Sequence, residues 1–438
     1  LTLYSLYNMS AASILTLTDQ IRQEATEKSS TPGHGHSRLL QLIEELKLVV
    51  ETPTETILRL IYQVYTVYQY LFDLDLSADS LLLKPPENAA MRTVVELGIF
   101  PILTNDTKKQ GVSASDLASQ TGADRGLIEL RADWANEVRL MRVMTSLGLC
   151  SSSEAEIYKA TEKTIAMTKP IGRDGVPCIY DLTVPALSKL PEYLRLHNYN
   201  NPEEYATSPM QWAVGKSQFE WLAESKEHQK LFNSYMSSRR EGKPNWFDIY
   251  PVERLMSGTS SHPDAIFLVD IGGNQGHDLG NFYARYSNTS GRLILQDLPK
   301  IVAAVDRPGI ETVSYSFLDP QPIKTIEDAR AYYFRAIFHD WPDRICKKIL
   351  LNTISAMNAE YSRIIIVDFV LPNTNVPRMQ SAMDIQMMSI GAGVERSKKQ
   401  WADLLASVGL KITGIWNSNP AMESIIEAVP IQDDRNGC

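Results

Sequence analysis

Residues 267–278 read Phe-Leu-Val-Asp-Ile-Gly-Gly-Asn-Gln-Gly-His-Asp, an apolar run followed by a glycine-rich turn. The run has the length and composition of a buried strand. The glycines stand where a ligand can approach bare backbone and where unusual φ is tolerated. Outward from this stretch, everything after about Tyr250 alternates strand and helix. Strands are expected at 265–270, 292–296, 311–317, 331–338, 363–370, 410–416 and 423–429. Helical patterns, for example 347–358 and 398–408, lie between most of them. That alternation predicts an α/β fold with a parallel sheet wound on both faces. The last two strands are joined only by Asn417-Ser-Asn-Pro-Ala-Met, too short for a crossover helix, so they must pair antiparallel.

Upstream the organisation differs. Residues 1–87 read as an N-terminal helical arm with a loop at 30–37 (STPGHGHS). His34 and His36 in that loop lack a third ligand nearby and read as an exposed turn, not a metal site. Tyr62, Tyr65, Tyr68 and Tyr70 read as packing residues. Residues 88–180 form a domain of short helices: 89–100, one starting after Ser113 as N-cap with Asp116 at N3, and 139–149. The 157–160 segment looks like the wing strand of a winged helix. This region carries 11 basic and 11 acidic residues, so the cationic footprint of a nucleic-acid binder is missing and a dimerising role is favoured. Residues 181–250 read as a helical connector and substrate-pocket segment, leaving 251–438 as the cofactor domain.

Composition narrows the class. The 438 residues are 44% hydrophobic and carry 43 Lys+Arg against 52 Asp+Glu, a net charge of −9. An acidic balance argues against nucleic-acid or anionic-membrane partners. The four cysteines are scattered, with no CxxC pair, which suits reduced thiols in a cytoplasmic protein. No secretory signal is evident. The most apolar stretch, 57–72, contains Arg59, Gln63 and Gln69 and is shorter than the roughly 20 apolar residues of a membrane span.

The chemistry gathers at expected strand ends. A glycine-rich βα turn fits nicotinamide, flavin or S-adenosylmethionine. Here the order is D-I-G-G-N-Q-G, without the G-x-G-x-x-G spacing, and Asp270 precedes Gly272 and Gly273. A carboxylate there suits an aminoacid-bearing sulfonium better than a pyrophosphate. Asp297 closes the next strand, where a carboxylate can accept both ribose hydroxyls. His339 lies at the end of the fourth strand of this domain, on the ligand-binding side of such sheets. Neutral imidazole can take the proton of an attacking phenol. Asp368 and Glu395 are two candidates for the carboxylate that orients its other nitrogen. Met379, Met383, Met387 and Met388 could line an aromatic pocket or simply pack.

Together these strings resemble the plant and fungal, metal-independent, caffeate-type O-methyltransferases, most closely the fungal members of secondary metabolism. V-D-I-G-G-N-Q-G-H-D-L looks like the family's first cofactor motif and Q-D-L-P its ribose motif. Y-Y-F-R-A-I-F-H-D-W-P-D looks like the catalytic-base motif, and I-V-D-F-V-L-P and G-V-E-R-S the two carboxylate segments. N-P-E-E-Y, F-N-S-Y-M and W-F-D-I-Y-P-V-E also match, so the likeness covers roughly residues 88–430. The resemblance implies a Rossmann-like seven-stranded methyltransferase sheet ending in an antiparallel hairpin, preceded by a winged-helix-like dimerisation domain. It further implies S-adenosylmethionine as cofactor without metal, a homodimer, and a small phenolic or polyketide-type acceptor. Asp270, Gly272, Gly273 and Asp297 would hold the cofactor, with Phe317 against the adenine and Arg335 nearby. Ser316 stands where the family usually carries Asp. His339 would be the general base, flanked by Asp368 and Glu395. Segments 65–86 and 128–137 look inserted. The alternative is a catalytically impaired methyltransferase-like dimer acting as a partner protein. A nicotinamide reductase, or a magnesium enzyme using Asp340 and Asp343, is disfavoured.

Overall fold

A computed structural model describes residues 14–23, 25, 42–43, 46, 50–62, 84–107, 110–128, 139–154, 156–260, 262, 264–288, 291–323, 329–418 and 422–432. His34, His36, Tyr65, Tyr68, Tyr70 and the stretches 65–83 and 129–137 lie outside them. Contacts divide the chain into two compact units, residues 1–181 with 227–239, and residues 182–226 with 240–438.

In the first unit, β1 (Val112–Ser113), β2 (Cys150–Glu154) and β3 (Ile157–Ala160) form an antiparallel sheet in the order β1-β3-β2. The helix starting at Ala114 is capped by Ser113, whose Oγ accepts the Asp116 N–H at 3.0 Å. The single helix expected over 89–100 is two, Lys84–Glu96 and Ile99–Thr104. Gly98 between them has φ +68°, a left-handed conformation that ends one helix and starts the next. Val94, Ile99 and Phe100 are buried with Leu117, Met141 and Met144 as the core of this unit.

The second unit carries the sheet anticipated from residues 267–278. Its strands are β4 (Ile266–Ile271), β5 (Arg292–Asp297), β6 (Ile310–Ser314), β7 (Ala331–Arg335), β8 (Arg363–Asp368), β9 (Leu410–Trp416) and β10 (Ser424–Pro430). They lie in the order β6-β5-β4-β7-β8-β10-β9. All pairs from β6 to β8 are parallel, and β10 is antiparallel to both β8 and β9, as the short 417–422 link requires. The third and fourth of these strands are shorter than expected. β7 stops at Arg335 because Ala336 adopts φ +52° and turns the chain out of the sheet.

Alternate side chains feed two cores. Val269, Tyr332, Phe334, Ile364 and Ile366 face one layer, with Trp401 and Leu405 of the helix Lys398–Ala406. Phe267, Leu268, Tyr333, Ile365 and Val367 face the other, where Trp246 stacks on Phe282 at 5.6 Å. This period of two, buried on both faces, is why the strands read as continuous apolar runs. Among the described residues no helix is long and apolar enough to cross a membrane.

A charged group sits near the middle of strand β10. Glu427 of β10 is fully buried and accepts from Arg254 Nη2 (2.7 Å), from the Tyr250 hydroxyl and from the Thr413 hydroxyl. Burial works against this carboxylate, but the hydrogen bonds from Arg254, Thr413 and Tyr250 outweigh it and hold its pKa at about 2. A depressed carboxyl pKa stabilises the fold above the unfolded value of about 4.3 and loses that contribution as pH falls through the folded one. Glu427→Gln should therefore lower stability at pH 7 by roughly 1–3 kcal/mol. Denaturant titrations should show the gap between the two proteins closing as pH falls from about 4.3 toward 2. A gap that stays constant across that window would contradict the assignment.

Candidate active site

Strand ends build the site. At the end of β4 the chain passes through Gly272 (φ +73°), Gly273 and Gly276 into the helix His277–Arg285. A Cβ on Gly272 would lie 2.6 Å from Ile337 Cδ1 and 3.7 Å from Phe317, and one on Gly273 would lie 2.4 Å from Asp270 Oδ2. These two positions therefore demand glycine. Asp297, at the end of β5, accepts the Asn274 N–H at 2.8 Å and the Leu298 N–H at 2.7 Å. Its carboxylate is thus tied to the glycine turn, and burial pushes its pKa upward against those two bonds. Ser316 and Phe317 follow β6; the Ser316 hydroxyl accepts the Leu318 N–H at 3.3 Å, and Phe317 meets Trp341 edge-on at 6.0 Å.

Asp270 is buried, and burial together with Asp278 raises its carboxyl well above the usual range. Beside it Arg335 donates to Asp278 Oδ1 at 3.0 Å and to Glu423 Oε2 at 2.5 Å. Burial opposes the guanidinium charge, but Glu423 and Asp278 outweigh it and hold Arg335 firmly protonated. The hydroxyl of Tyr333 and the Arg240 guanidinium also donate to Asp278, at 3.0 and 3.3 Å. Beneath the turn Arg307 donates to the Gln275 carbonyl at 2.5 Å and meets His277 Nδ1 at 2.7 Å.

His339 sits in the short 3₁₀ turn Phe338–Asp340, reached from β7 through the left-handed Ala336. Its Nδ1 is 2.7 Å from Glu395 Oε1 and 4.0 Å from Asp368 Oδ1, while Nε2 is 3.7 Å from Asp340 Oδ1. Of the two carboxylates anticipated as its partner, Glu395 makes the hydrogen bond and Asp368 stands behind at charge–charge distance. Both are buried, and Asp368 Oδ2 and Glu395 Oε2 have no hydrogen-bond partner. Burial alone would lower the imidazole pKa, yet Glu395, then Asp368 and Asp340, raise it well above its ordinary value. Burial pushes Asp368 up to about 7 against the pull of His339. The direction is common to both groups: the cluster keeps an extra proton near neutrality. Donor atoms of His339, Asp368 and Glu395 lie within 4.8 Å of one another, close enough for a cation, although the short His339–Glu395 bond already uses two of them.

Several neighbours escaped the sequence reading. Asp384 accepts the Glu395 N–H at 2.9 Å, and Arg396, adjacent to Glu395, is buried under the His339 turn. Arg396 was visible as the second residue of E-R-S, and Asp278 as the last of G-H-D, but neither string says what its side chain touches. Of the four methionines, Met383 and Met387 are buried and Met379 and Met388 half-buried.

The chain is similar to known proteins over most of its length. The model of the O-methyltransferase domain matches residues 199–411, and that of the O-methyltransferase dimerisation domain matches 87–169. The chain is 32% identical over 428 residues to Methyltransferase cfoC of Aspergillus candidus, covering 96% of this chain and 98% of that one. It is 32% identical over 350 residues to demethylsterigmatocystin 6-O-methyltransferase of Aspergillus parasiticus, covering 79% and 86%. Among solved structures, LepI in complex with SAM superposes with a TM-score of 0.73 at 27% identity, covering 96% of this chain and all of that one.

A nuclear magnetic resonance titration of His339 should find its midpoint above the ordinary value of about 6.5. Glu395→Gln removes the nearest negative charge and should move that midpoint to lower pH. A wild-type midpoint at or below the ordinary value would show that burial, not the carboxylates, dominates.

Proposed function

Because the chain belongs to the O-methyltransferase family of fungal secondary metabolism, we propose that it methylates a phenolic hydroxyl of a small polyketide-type metabolite, with His339 as general base. The observation that carries this reading is the 2.7 Å contact between His339 Nδ1 and buried Glu395 at the end of β7. Once the cluster has given up its extra proton, Nδ1–H stays with the carboxylate and Nε2 offers its lone pair to an acceptor proton. The base therefore works on the upper side of its raised pKa. A free phenol has a pKa near 10 and is mostly protonated at neutral pH, so it gains from such a base. The relative named for demethylsterigmatocystin supports a small-molecule acceptor.

The residues present fit S-adenosylmethionine. Gly272 and Gly273 leave the backbone uncovered, and Ile337 and Phe317 close an apolar wall beside Gly272. Asp297, anchored to the turn through the Asn274 N–H, would accept the ribose hydroxyls, and Asp278, paired with Arg335, supplies negative charge under the turn beside the buried Asp270 carboxyl. Ser316 lies beside Phe317 on the adenine side, and Arg335, held by Asp278 and Glu423, stiffens the floor. When bound, this cofactor supplies an electrophilic methyl group on a sulfonium centre. His339 takes the acceptor proton, Glu395 holds the ring and offsets the imidazolium charge, and Asp368 adds to that charge balance. Metal plays no part in this scheme. We assign the 87–169 region to pairing with a second copy of the chain.

Labelled methyl donor offered with a panel of phenolic polyketides should yield methylated product and S-adenosylhomocysteine, in EDTA as well as without it. In His339→Ala turnover should fall about 10²–10⁴-fold with S-adenosylhomocysteine affinity retained. Undiminished methylation by that variant would remove the base assignment. Gly273→Ala should instead weaken S-adenosylhomocysteine binding by about tenfold or more, since its Cβ has no room beside Asp270 and Leu295.

A further inference from the structure

We propose that Arg396 is a positioning residue for His339, holding the backbone turn that carries the imidazole while its neighbour Glu395 holds the ring. This role rests on the reading of His339 as the base.

Arg396 is 1% exposed, one of the largest fully buried side chains of the described chain. Its Nη1 donates to the Phe338 carbonyl at 2.8 Å and its Nη2 to the Trp341 carbonyl at 2.9 Å, on either side of His339. Nη1 also reaches the Val394 carbonyl at 3.2 Å, and Nε and Nη2 reach Asp343 Oδ1 at 3.0 and 2.7 Å. A guanidinium has five N–H donors in a rigid fork, and these contacts engage the whole fork. Its Cζ lies over the Trp401 ring, 5.4 Å from the centroid, so the indole backs the fork.

The main chain adds a second staple. Val394 N–H donates to the His339 carbonyl at 2.9 Å, and a Cβ on Gly393 would lie 2.1 Å from that same oxygen. The loop carrying Glu395 and Arg396 is therefore pressed onto the turn carrying His339. The side chains of Phe338 and Trp341 are buried in the core, and Cys346 Sγ reaches the same two carbonyls at 3.3 Å. The turn is only three residues long, however, and follows the left-handed Ala336, so the orientation of its backbone depends on the guanidinium fork as well. Rotation would separate Nδ1 from Glu395 and swing Nε2 away from the acceptor. Catalytic geometry is intolerant of such motion, because a displacement of about 1 Å can cost about 10²-fold in rate.

Arg396→Lys keeps the charge but not the fork, which isolates geometry from electrostatics. Expected are a kcat about 10- to 100-fold lower and a dissociation constant for S-adenosylhomocysteine within about twofold of wild type. The rising limb of the kcat–pH profile should move to lower pH. Glu395, Asp368 and Asp340 are the charged groups facing His339, and the nearest of them loosens its hold. In a His339→Ala background the same substitution should change the residual kcat by less than about threefold, since the group that Arg396 positions is gone. A wild-type kcat and pH profile in folded Arg396→Lys, or an equal loss in both backgrounds, overturns the proposal. If Arg396→Lys does not fold, Asp343→Asn decides, because Asp343 is 59% exposed and braces the fork from outside. A several-fold lower kcat with a shifted limb supports the role, and an unchanged profile overturns it. Full activity in His339→Ala would instead remove the base reading itself, whereas an inactive His339→Ala beside a normal Arg396→Lys and Asp343→Asn removes only the positioning role.

Discussion

Parallel pairing of β5, β4, β7 and β8 is the constraint from which the site follows. The registers Asp270↔Tyr333 and Tyr333↔Ile365 keep neighbouring strands level, so all four carboxyl ends emerge along one edge. Asp297, the glycine turn, the His339 turn and Asp368 are then neighbours in space although they are spread from residue 272 to residue 368. Every strand of this group is buried on both faces, which leaves no freedom to slip by one residue without turning its large side chains into the wrong layer. The precision available to the site is that of the sheet.

Charge is the second constraint, and it is handled twice in the same way. Under the glycine turn Asp270 and Asp278 are buried with Arg335, itself gripped by Glu423. Around the imidazole, Asp368 and Glu395 are buried, Asp340 and His339 are half-buried, and Arg396 lies behind them. A buried carboxylate without partners is costly, so each group is balanced by a cation, and the hydrogen bonds of Arg396 also fix backbone. The unpaired oxygens of Asp368 and Glu395 are the exception. They leave the imidazole in a field that favours an extra proton.

Much of the fold was legible because double-sided burial writes strands as continuous apolar runs, and because six residues cannot hold a crossover helix. The seven strands and the final hairpin follow from those two facts. Strand ends were less legible. Nothing in Arg-Ala-Ile-Phe announces that Ala336 adopts a left-handed conformation, since non-glycine residues do so only when tertiary contacts compel it. The break at Gly98 was hidden for the opposite reason, because a lone glycine within an apolar helical pattern reads equally as interior or as cap.

The types and chain positions of the site groups were determined by the sequence alone: glycines after one strand, an acid after the next, a histidine after the fourth, two acids downstream. Local order along a strand dictates which residues leave at its carboxyl end, and parallel topology carries them to one edge. Only the tertiary structure decided between the two acids, putting Glu395 at 2.7 Å and Asp368 at 4.0 Å from the imidazole. Only it brought Arg396 from the neighbour of a carboxylate to the carbonyls of Phe338 and Trp341 on either side of the histidine. Such choices depend on distances of an ångström between loops far apart in sequence. Those distances are set by packing, by a missing Cβ at Gly393 and by a ring beneath a guanidinium, none of which a linear pattern records.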